Sequence, residues 1–217
     1  MELSVSVLIF VGAIIAYLLG SANFAIIISR AIAHDDIRNH GSGNAGLTNV
    51  LRTLGKGPAI LTLLGDFSKG IISVIVIRLL LHFFAGVDDY YIGDYIVAFA
   101  ALIGHVFPIY YGFKGGKGIL VSFGALMILS PLAGLICFTG FLIIVVLTKY
   151  VSLGSLVAAI LYPLSTMLVT HLQRGVIDWV EVLWTLPISV LIIYMHRANV
   201  KRLLKHEENK ISFRSKK

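Results

Sequence analysis

Two polar segments of this chain contain the residue types that bind phosphate groups. Residues 41–52 read GSGNAGLTNVLR, and residues 113–118 read FKGGKG. Glycines let a backbone approach a ligand closely and turn its N–H groups toward it, while Arg and Lys side chains bind phosphate oxygens. Both segments are therefore predicted to bind an anion. An ordinary turn-rich loop before a capped helix explains the first pattern equally well.

The second segment concentrates positive charge. Lys114 and Lys117 flank two glycines, and a helix is predicted just after Gly118, where free N–H groups would add to the positive field. The pattern is not a Walker A loop, because Gly112 is too close to Lys117 and Gly118 stands where a Mg²⁺-binding Ser or Thr would be. A loop whose lysines only orient membrane helices is the simpler alternative. His105, just upstream, is expected on its own to be an interior histidine rather than a catalyst.

Two further segments and one charged pair extend this set of residues. Ser155, in VSLGS, is placed to cap a helix, and His196 and Asn199 share a helix face at i and i+3. Capping and interfacial anchoring are the simpler explanations. Asp66 and Lys69 form another i, i+3 pair in an apolar run, where each charge costs about 2.5–3.5 kcal/mol. We expect an ion pair that is either structural or orients a basic residue of the site.

Several other chemistries lack their residues. The sequence contains no His-x-x-x-x-Asp pair, no Gly-x-Ser-x-Gly elbow, no cysteine with a neighbouring histidine and no cluster with metal-ligand spacing. We therefore predict an active site without a metal and without a cofactor.

The composition places these segments in a membrane protein. Only 13% of the 217 residues are charged, against about 25% in globular proteins, and 58% are apolar. A soluble fold cannot bury that much apolar surface. The net charge of +7 then favours anionic headgroups or an anionic substrate as the partner, and not nucleic acid.

Apolar runs of roughly 20 residues predict membrane-spanning helices. Seven are found, at about residues 3–29, 58–84, 94–111, 119–131, 132–148, 153–171 and 179–195. This all-α integral membrane fold places most basic residues on one side, which the positive-inside rule makes cytoplasmic. The N-terminus is then external and the C-terminus cytoplasmic. The basic tail, about residues 200–217, is predicted to lie along the membrane surface, although a solvated tail is the alternative.

Residues 119–148 allow two interpretations. They form either one long tilted helix, which gives six spans, or two helices that turn at Ser130–Pro131. Six spans would place Lys149 and the basic tail outside the cell, against the positive-inside rule. Seven spans are therefore predicted.

Taken in order, four motifs resemble the PlsY family of bacterial membrane acyl-phosphate:glycerol-3-phosphate acyltransferases. They are SGNAGLTNVLR (42–52), GHVFP followed by FKGGKG (104–118), VSLGS (151–155) and HRAN (196–199), with GDFSKG (65–70) in addition. The resemblance extends over residues 20–202, and its departures, Leu47 and Gly154 where alanine is common, are small and apolar. It implies one transmembrane acyltransferase domain over residues 1–217, multi-pass in the bacterial plasma (inner) membrane, with a cytoplasmic active site and a functional monomer.

The resemblance also implies a reaction and its residues. An acyl group passes from acyl phosphate to the 1-hydroxyl of glycerol 3-phosphate, giving lysophosphatidic acid and phosphate, the first acylation of phospholipid biosynthesis. The implied catalytic residues are Ser42, Arg52, Lys117, Ser155, His196 and Asn199. Substrate or phosphate binding is expected from Gly43, Asn44, Thr48, Asn49, His105, Lys114, Gly115 and Gly116, with Asp66 and Lys69 in support.

The mechanism predicted from these residues needs no covalent intermediate, because phosphate is already a good leaving group. Without a His-Asp pair, the phosphate of the donor itself is expected to take the proton of the attacking hydroxyl, and His196 is the rival base. The alternative function is a membrane transporter of an organic phosphate anion. Such carriers place their site near the bilayer midplane and often contain internal repeats, whereas here every motif falls on one side and no repeat is visible.

Overall fold

A computed structural model describes residues 4–88 and 91–211, and within them every regular element is helical, as predicted. Two single 3₁₀ turns, Ile37–Asn39 and Ile109–Tyr111, interrupt ten α-helices in this part of the chain. The helices are α1 Val5–Ser21, α2 Phe24–Ala33, α3 Leu47–Thr53, α4 Lys56–Ala85, α5 Tyr91–Val106, α6 Ile119–Leu129, α7 Pro131–Thr148, α8 Val151–Arg174, α9 Trp179–Met195 and α10 Arg197–Leu204.

Six of the seven predicted spans coincide with one helix each, whereas the first, residues 3–29, is broken at Ala22 and Asn23 into α1 and α2. Not every helix is long enough to cross a bilayer. Five segments of the described chain have the necessary length and hydropathy, or six if α9 and α10, bent by 53°, count as one span. The helix α6 has only 11 residues, which is about 16 Å at 1.5 Å per residue, against a hydrocarbon core of about 30 Å. The chain does break at Ser130, with Pro131 in the first turn of α7, so residues 119–148 are not one long helix.

Residues up to Leu129 form one compact unit. In it, α1 packs on α5 and α4 packs on α6, and glycines set the closest approaches. A Cβ on Gly20 would lie 2.1 Å from the carbonyl oxygen of Ala101, and one on Gly104 would lie 2.2 Å from that of Tyr17. Small residues are what allow helix backbones to meet so closely in an apolar environment.

A buried ion pair holds the break between α1 and α2. The Lys69 ammonium lies 2.9 Å from Asp66 Oδ1 and donates to the carbonyl oxygens of Gly20 (2.8 Å) and Ala22 (2.9 Å). Asp66 in turn accepts from the backbone N–H of Phe24, at the start of α2. A helix break in an apolar region frees backbone groups that must find partners inside the protein, and this pair supplies them.

The second compact unit contains residues from Ser130 onward. Here α8 packs on both α7 and α9, and α10 contacts α8 and α9. The tail beyond α10 returns to the start of α8, where the N–H of Ile211 donates to the carbonyl oxygen of Lys149 at 2.8 Å. Residues 212–217, the end of the predicted interfacial tail, lie outside the described residues.

The buried pair leads to a stability prediction. Lys69→Met leaves the Asp66 carboxylate buried without its ammonium, so the free energy of unfolding should fall by about 3–5 kcal/mol. The control is Lys56→Met, which removes the same charge from an exposed position of the same helix and should stay within about 0.5 kcal/mol of the parent protein. Denaturant unfolding in mixed micelles checks this, and equal midpoints for the two variants would contradict it.

Candidate functional site

The first polar segment is a loop wrapped around one buried amide. Asn49 Nδ2 donates to the carbonyl oxygens of Ile37 (3.1 Å), His40 (2.9 Å) and Asn44 (3.1 Å), and its Oδ1 accepts from the N–H of Ser42 at 3.0 Å. These bonds use the whole amide and fix the backbone on both sides of the loop. Ser42 is therefore held at the exposed surface of the loop, while the Asn49 side chain is interior.

The second polar segment lies directly on the first. Gly116 donates its N–H to the carbonyl oxygen of His105 at 3.1 Å. A Cβ on Gly116 would lie only 2.2 Å from His105 Nε2 and 2.5 Å from the carbonyl oxygen of Ala45 in the first loop. Only glycine fits here, which explains physically why the Lys-Gly-Gly-Lys sequence has no side chain at this point.

The buried Asp66–Lys69 ion pair lies next to the contact between the two segments and supports it from the protein interior. His105 Nδ1 lies 2.9 Å from the Lys69 ammonium, and Asn23 Nδ2 donates to the carbonyl oxygen of Ala45 at 3.3 Å. The other ring nitrogen, Nε2, faces Gly116, so the imidazole lies between the ion pair and the lysine loop. One set of buried groups thus supports both loops.

Burial divides the predicted residues of this unit into two groups. Asn49, His105, Gly116, Asp66 and Lys69 are buried and contact other parts of the protein. The remaining residues are exposed or half-buried and can reach a ligand: Ser42, Gly43, Asn44, Thr48, Arg52, Lys114, Gly115 and Lys117. The sequence predicted Asn49 and His105 among the phosphate-binding residues, whereas the geometry gives both of them bonds that shape the loops.

The second unit holds the other three predicted residues, all of them buried. Ser155 donates its hydroxyl to the carbonyl oxygen of Val151 at 3.0 Å. His196 Nδ1 lies 2.8 Å from the carbonyl oxygen of Ile192, and because a carbonyl only accepts, Nδ1 carries the hydrogen. Of the two ring nitrogens, Nε2 is therefore the one able to accept a proton.

Glu208, which the motifs do not include, connects several residues of the second unit. Its Oε1 accepts from Ser152 Oγ (3.1 Å) and Asn199 Nδ2 (2.9 Å), and its Oε2 accepts from Arg202 Nε (2.7 Å). Burial alone would raise the pKa of this carboxyl, but the hydrogen bonds from Arg202 and Asn199 hold the pKa below its ordinary value. The contact therefore contributes stability at neutral pH, which is lost only as the pH falls below about 4.

A metal site requires several ligand side chains that lie close together. No three His, Cys, Asp or Glu side chains between residues 4 and 88 or 91 and 211 are grouped so that they could hold a metal ion.

The chain is similar to known proteins over nearly its full length. A family model described as glycerol-3-phosphate acyltransferase matches residues 10–206. A glycerol-3-phosphate acyltransferase of Neisseria meningitidis serogroup C is 42% identical over 91% of this chain and 94% of its own. One from Clostridioides difficile is 41% identical over 92% of this chain and 93% of its own.

Solved structures agree with these matches. The chain is similar to PlsY, an integral membrane glycerol 3-phosphate acyltransferase, in its glycerol 3-phosphate form, with a TM-score of 0.79 and 35% identity over 94% of this chain and 96% of that one. The lysophosphatidic acid form of PlsY gives a TM-score of 0.76 and 33% identity, covering 94% of this chain and 95% of that chain.

The contacts of Glu208 predict how the tail is held. Glu208→Gln keeps the side-chain size but replaces Oε2 with a donor, which cannot accept from Arg202, so the tail should detach at a cost of about 1–3 kcal/mol. Trypsin should then cut faster at Lys205 and Lys210. Glu207→Gln is the matched control, since Glu207 is exposed and the charge change is the same. Equal cleavage rates in the two variants would show that the contact does not hold the tail.

Proposed function

This chain belongs to the glycerol-3-phosphate acyltransferase family, and from that premise we propose that it transfers an acyl group from acyl phosphate to the 1-hydroxyl of glycerol 3-phosphate. The products are lysophosphatidic acid and phosphate. The observation that carries this proposal is that the second polar segment, which contains Lys114 and Lys117, packs on the first, which contains Ser42. The two segments are in contact at Gly116 and Ala45. Family membership favours this enzyme over the transporter alternative.

The loops of the first unit supply an anion site. Lys114, Lys117 and Arg52 provide cationic donors, while Ser42 and Asn44 provide neutral ones. Glycerol 3-phosphate and acyl phosphate are both anions, and two phosphates brought together repel each other strongly. Holding them in place and neutralising their charge lowers the barrier without any covalent chemistry by the protein.

The chemical step is an acyl transfer with one leaving group. The 1-hydroxyl oxygen attacks the acyl carbonyl carbon, the bond from that carbon to the phosphate oxygen breaks, and inorganic phosphate leaves. The hydroxyl proton passes to a phosphate oxygen of the donor. Because phosphate both leaves and takes the proton, the protein needs no nucleophile and no strong base.

Ser155, His196 and Asn199 take part in the same reaction as hydrogen-bonding groups. His196 is the one residue among them that could act as a base instead, through Nε2, since Nδ1 is bonded to the carbonyl oxygen of Ile192. Substrate assistance is preferred, because the donor phosphate is a good leaving group and can itself take the proton.

The proposed setting is the bacterial inner membrane, with the site on the cytoplasmic face. The proposed topology has seven spans, with the short α6 counted as one of them, an external N-terminus and a cytoplasmic C-terminus. In it both loops and the basic tail lie on the cytoplasmic face, in accord with the positive-inside rule. In this proposal the protein works as a monomer, in one domain and without a cofactor, and its acyl donor and product reside in the membrane lipid.

Purified protein in lipid tests the reaction directly. With glycerol 3-phosphate and palmitoyl phosphate, phosphate release should require both substrates and should fall at least about 100-fold in Lys117→Ala, as for the loss of one charge-stabilising donor. Lys56→Ala, an exposed lysine outside the motifs, should leave the rate unchanged. Turnover with acyl-CoA alone would overturn the donor, equal rates in the two variants would overturn the anion site, and uptake without chemistry would favour a transporter.

The pH dependence separates the two bases. If the donor phosphate takes the proton, His196→Gln lowers the rate but keeps the shape of the pH–rate profile, because a limb near pH 6 then comes from substrate phosphate. If His196 were the base, a limb near the ordinary imidazole pKa of about 6.5 would be present in the parent protein and absent from the variant. Initial rates between pH 5 and 8 decide between these outcomes.

A further inference from the structure

Arg38, four residues before Ser42, bonds to both ends of a turn in the second loop. Its Nη1 donates to the carbonyl oxygens of Tyr111 (2.8 Å) and Lys114 (2.9 Å). These two carbonyls flank the two residues between them, so one side-chain nitrogen spans the turn that leads into the lysines. No other cation of the described chain is seen to bond both carbonyls.

The turn that Arg38 spans has an uncommon backbone conformation. Gly112 and Phe113 both have left-handed backbone angles, with φ of 64° and 59°. For a bulky residue such as Phe113 this region is sparsely populated, and it persists only where the surroundings impose it. Phe113 as a residue is 57% exposed, so side-chain packing does not impose the turn. Its N–H donates to the carbonyl oxygen of Pro108 at 3.0 Å, and the bonds from Arg38 to the flanking carbonyls add to this constraint.

The guanidinium is itself fixed in direction. Asp36 accepts from Arg38 Nε at 2.9 Å and from Nη2 at 2.8 Å, and with the two carbonyls this uses four of the five N–H groups. The Arg38 guanidinium lowers the pKa of Asp36 well below its ordinary range, so the carboxylate stays charged at physiological pH. With its charge paired and its donors used, Arg38 is poorly placed to bind substrate phosphate itself.

We propose that Arg38 is a positioning residue for the anion site: by bridging Tyr111 and Lys114 it holds the lysine loop in its phosphate-binding conformation. This rests on the proposed function, in which Lys114 and Lys117 bind the phosphate of glycerol 3-phosphate. Gly116 holds the same loop from its buried side through His105 and Ala45, and Arg38 holds it from its exposed side. Loss of Arg38 therefore weakens substrate binding more than it slows the chemical step.

Arg38→Lys is the informative variant, and Arg30→Lys is its matched control. Lysine keeps the charge beside Asp36 but cannot reach the carboxylate and both carbonyls at once. Arg30 also pairs with Asp36, at 2.9 Å, and lies over the Tyr111 ring, yet no bond from it to either loop carbonyl is seen. A difference in behaviour between Arg38→Lys and Arg30→Lys therefore reports on the bonds from Arg38 to the carbonyl oxygens of Tyr111 and Lys114. Asp36→Asn, which releases Arg38 without replacing it, is the second variant if Arg38→Lys does not fold.

The test consists of two measurements, of which the first is independent of activity. Hydrogen exchange of the amides of Phe113, Gly115 and Gly116 should be at least about tenfold faster in Arg38→Lys than in Arg30→Lys. In steady-state assays, KM for glycerol 3-phosphate should rise about tenfold, which corresponds to about 1.4 kcal/mol, while kcat changes less than about threefold.

Each outcome decides a separate point. Unchanged exchange in Arg38→Lys and Asp36→Asn would overturn the bridge, and faster exchange with unchanged KM in active enzyme would overturn its role in substrate binding. Faster exchange in Arg38→Lys, combined with a parent protein that makes no lysophosphatidic acid, would leave the bridge standing and refute the proposed function instead.

Discussion

The Asp66–Lys69 ion pair is the interaction on which the rest of the first unit depends. Burying the charges of a lysine and an aspartate in an apolar helix costs free energy. Here three sets of contacts made by the pair offset that cost. The ammonium binds the carbonyls that the α1–α2 break exposes, the carboxylate binds the first amide of α2, and the ammonium also contacts His105 Nδ1. From His105 the same support reaches Gly116, and through it the lysine loop.

This arrangement separates the groups that shape the site from those that can contact a ligand. Buried amides and an imidazole are bonded to backbone, so the two loops are preorganised before any substrate arrives. In the proposed reaction, Ser42, Arg52 and the two lysines would therefore bind substrate without first having to order the loops. Donors that are already fixed in place stabilise a developing charge most effectively.

The sequence predicts the charged pair, the motifs and the positions of all the long helices, because each depends on local spacing or on hydropathy. It does not predict Arg38 or Glu208 as structural residues. Arg38 meets its carbonyl partners 73 and 76 residues away, and a bond between a side chain and a distant backbone leaves no periodic trace in the chain. The burial of Asn49 is missed for a related reason, since polar residue types look the same whether they bind a ligand or a loop. His105 is buried, as expected for it alone, although the motif also placed it among the phosphate-binding residues. The short α6 shows that an apolar run predicts where a helix lies better than it predicts how long that helix is.

The central claim is that the two packed loops form a site for the phosphate of glycerol 3-phosphate. Equilibrium binding of glycerol 3-phosphate to the protein in nanodiscs, with no acyl donor present, tests it most directly. Gly116→Ala pushes the loops apart and should weaken binding at least about tenfold, whereas Gly57→Ala, where a new Cβ meets nothing within 4 Å, should bind like the parent protein. Equal affinity in both variants, or no saturable binding by the parent protein, would contradict the account.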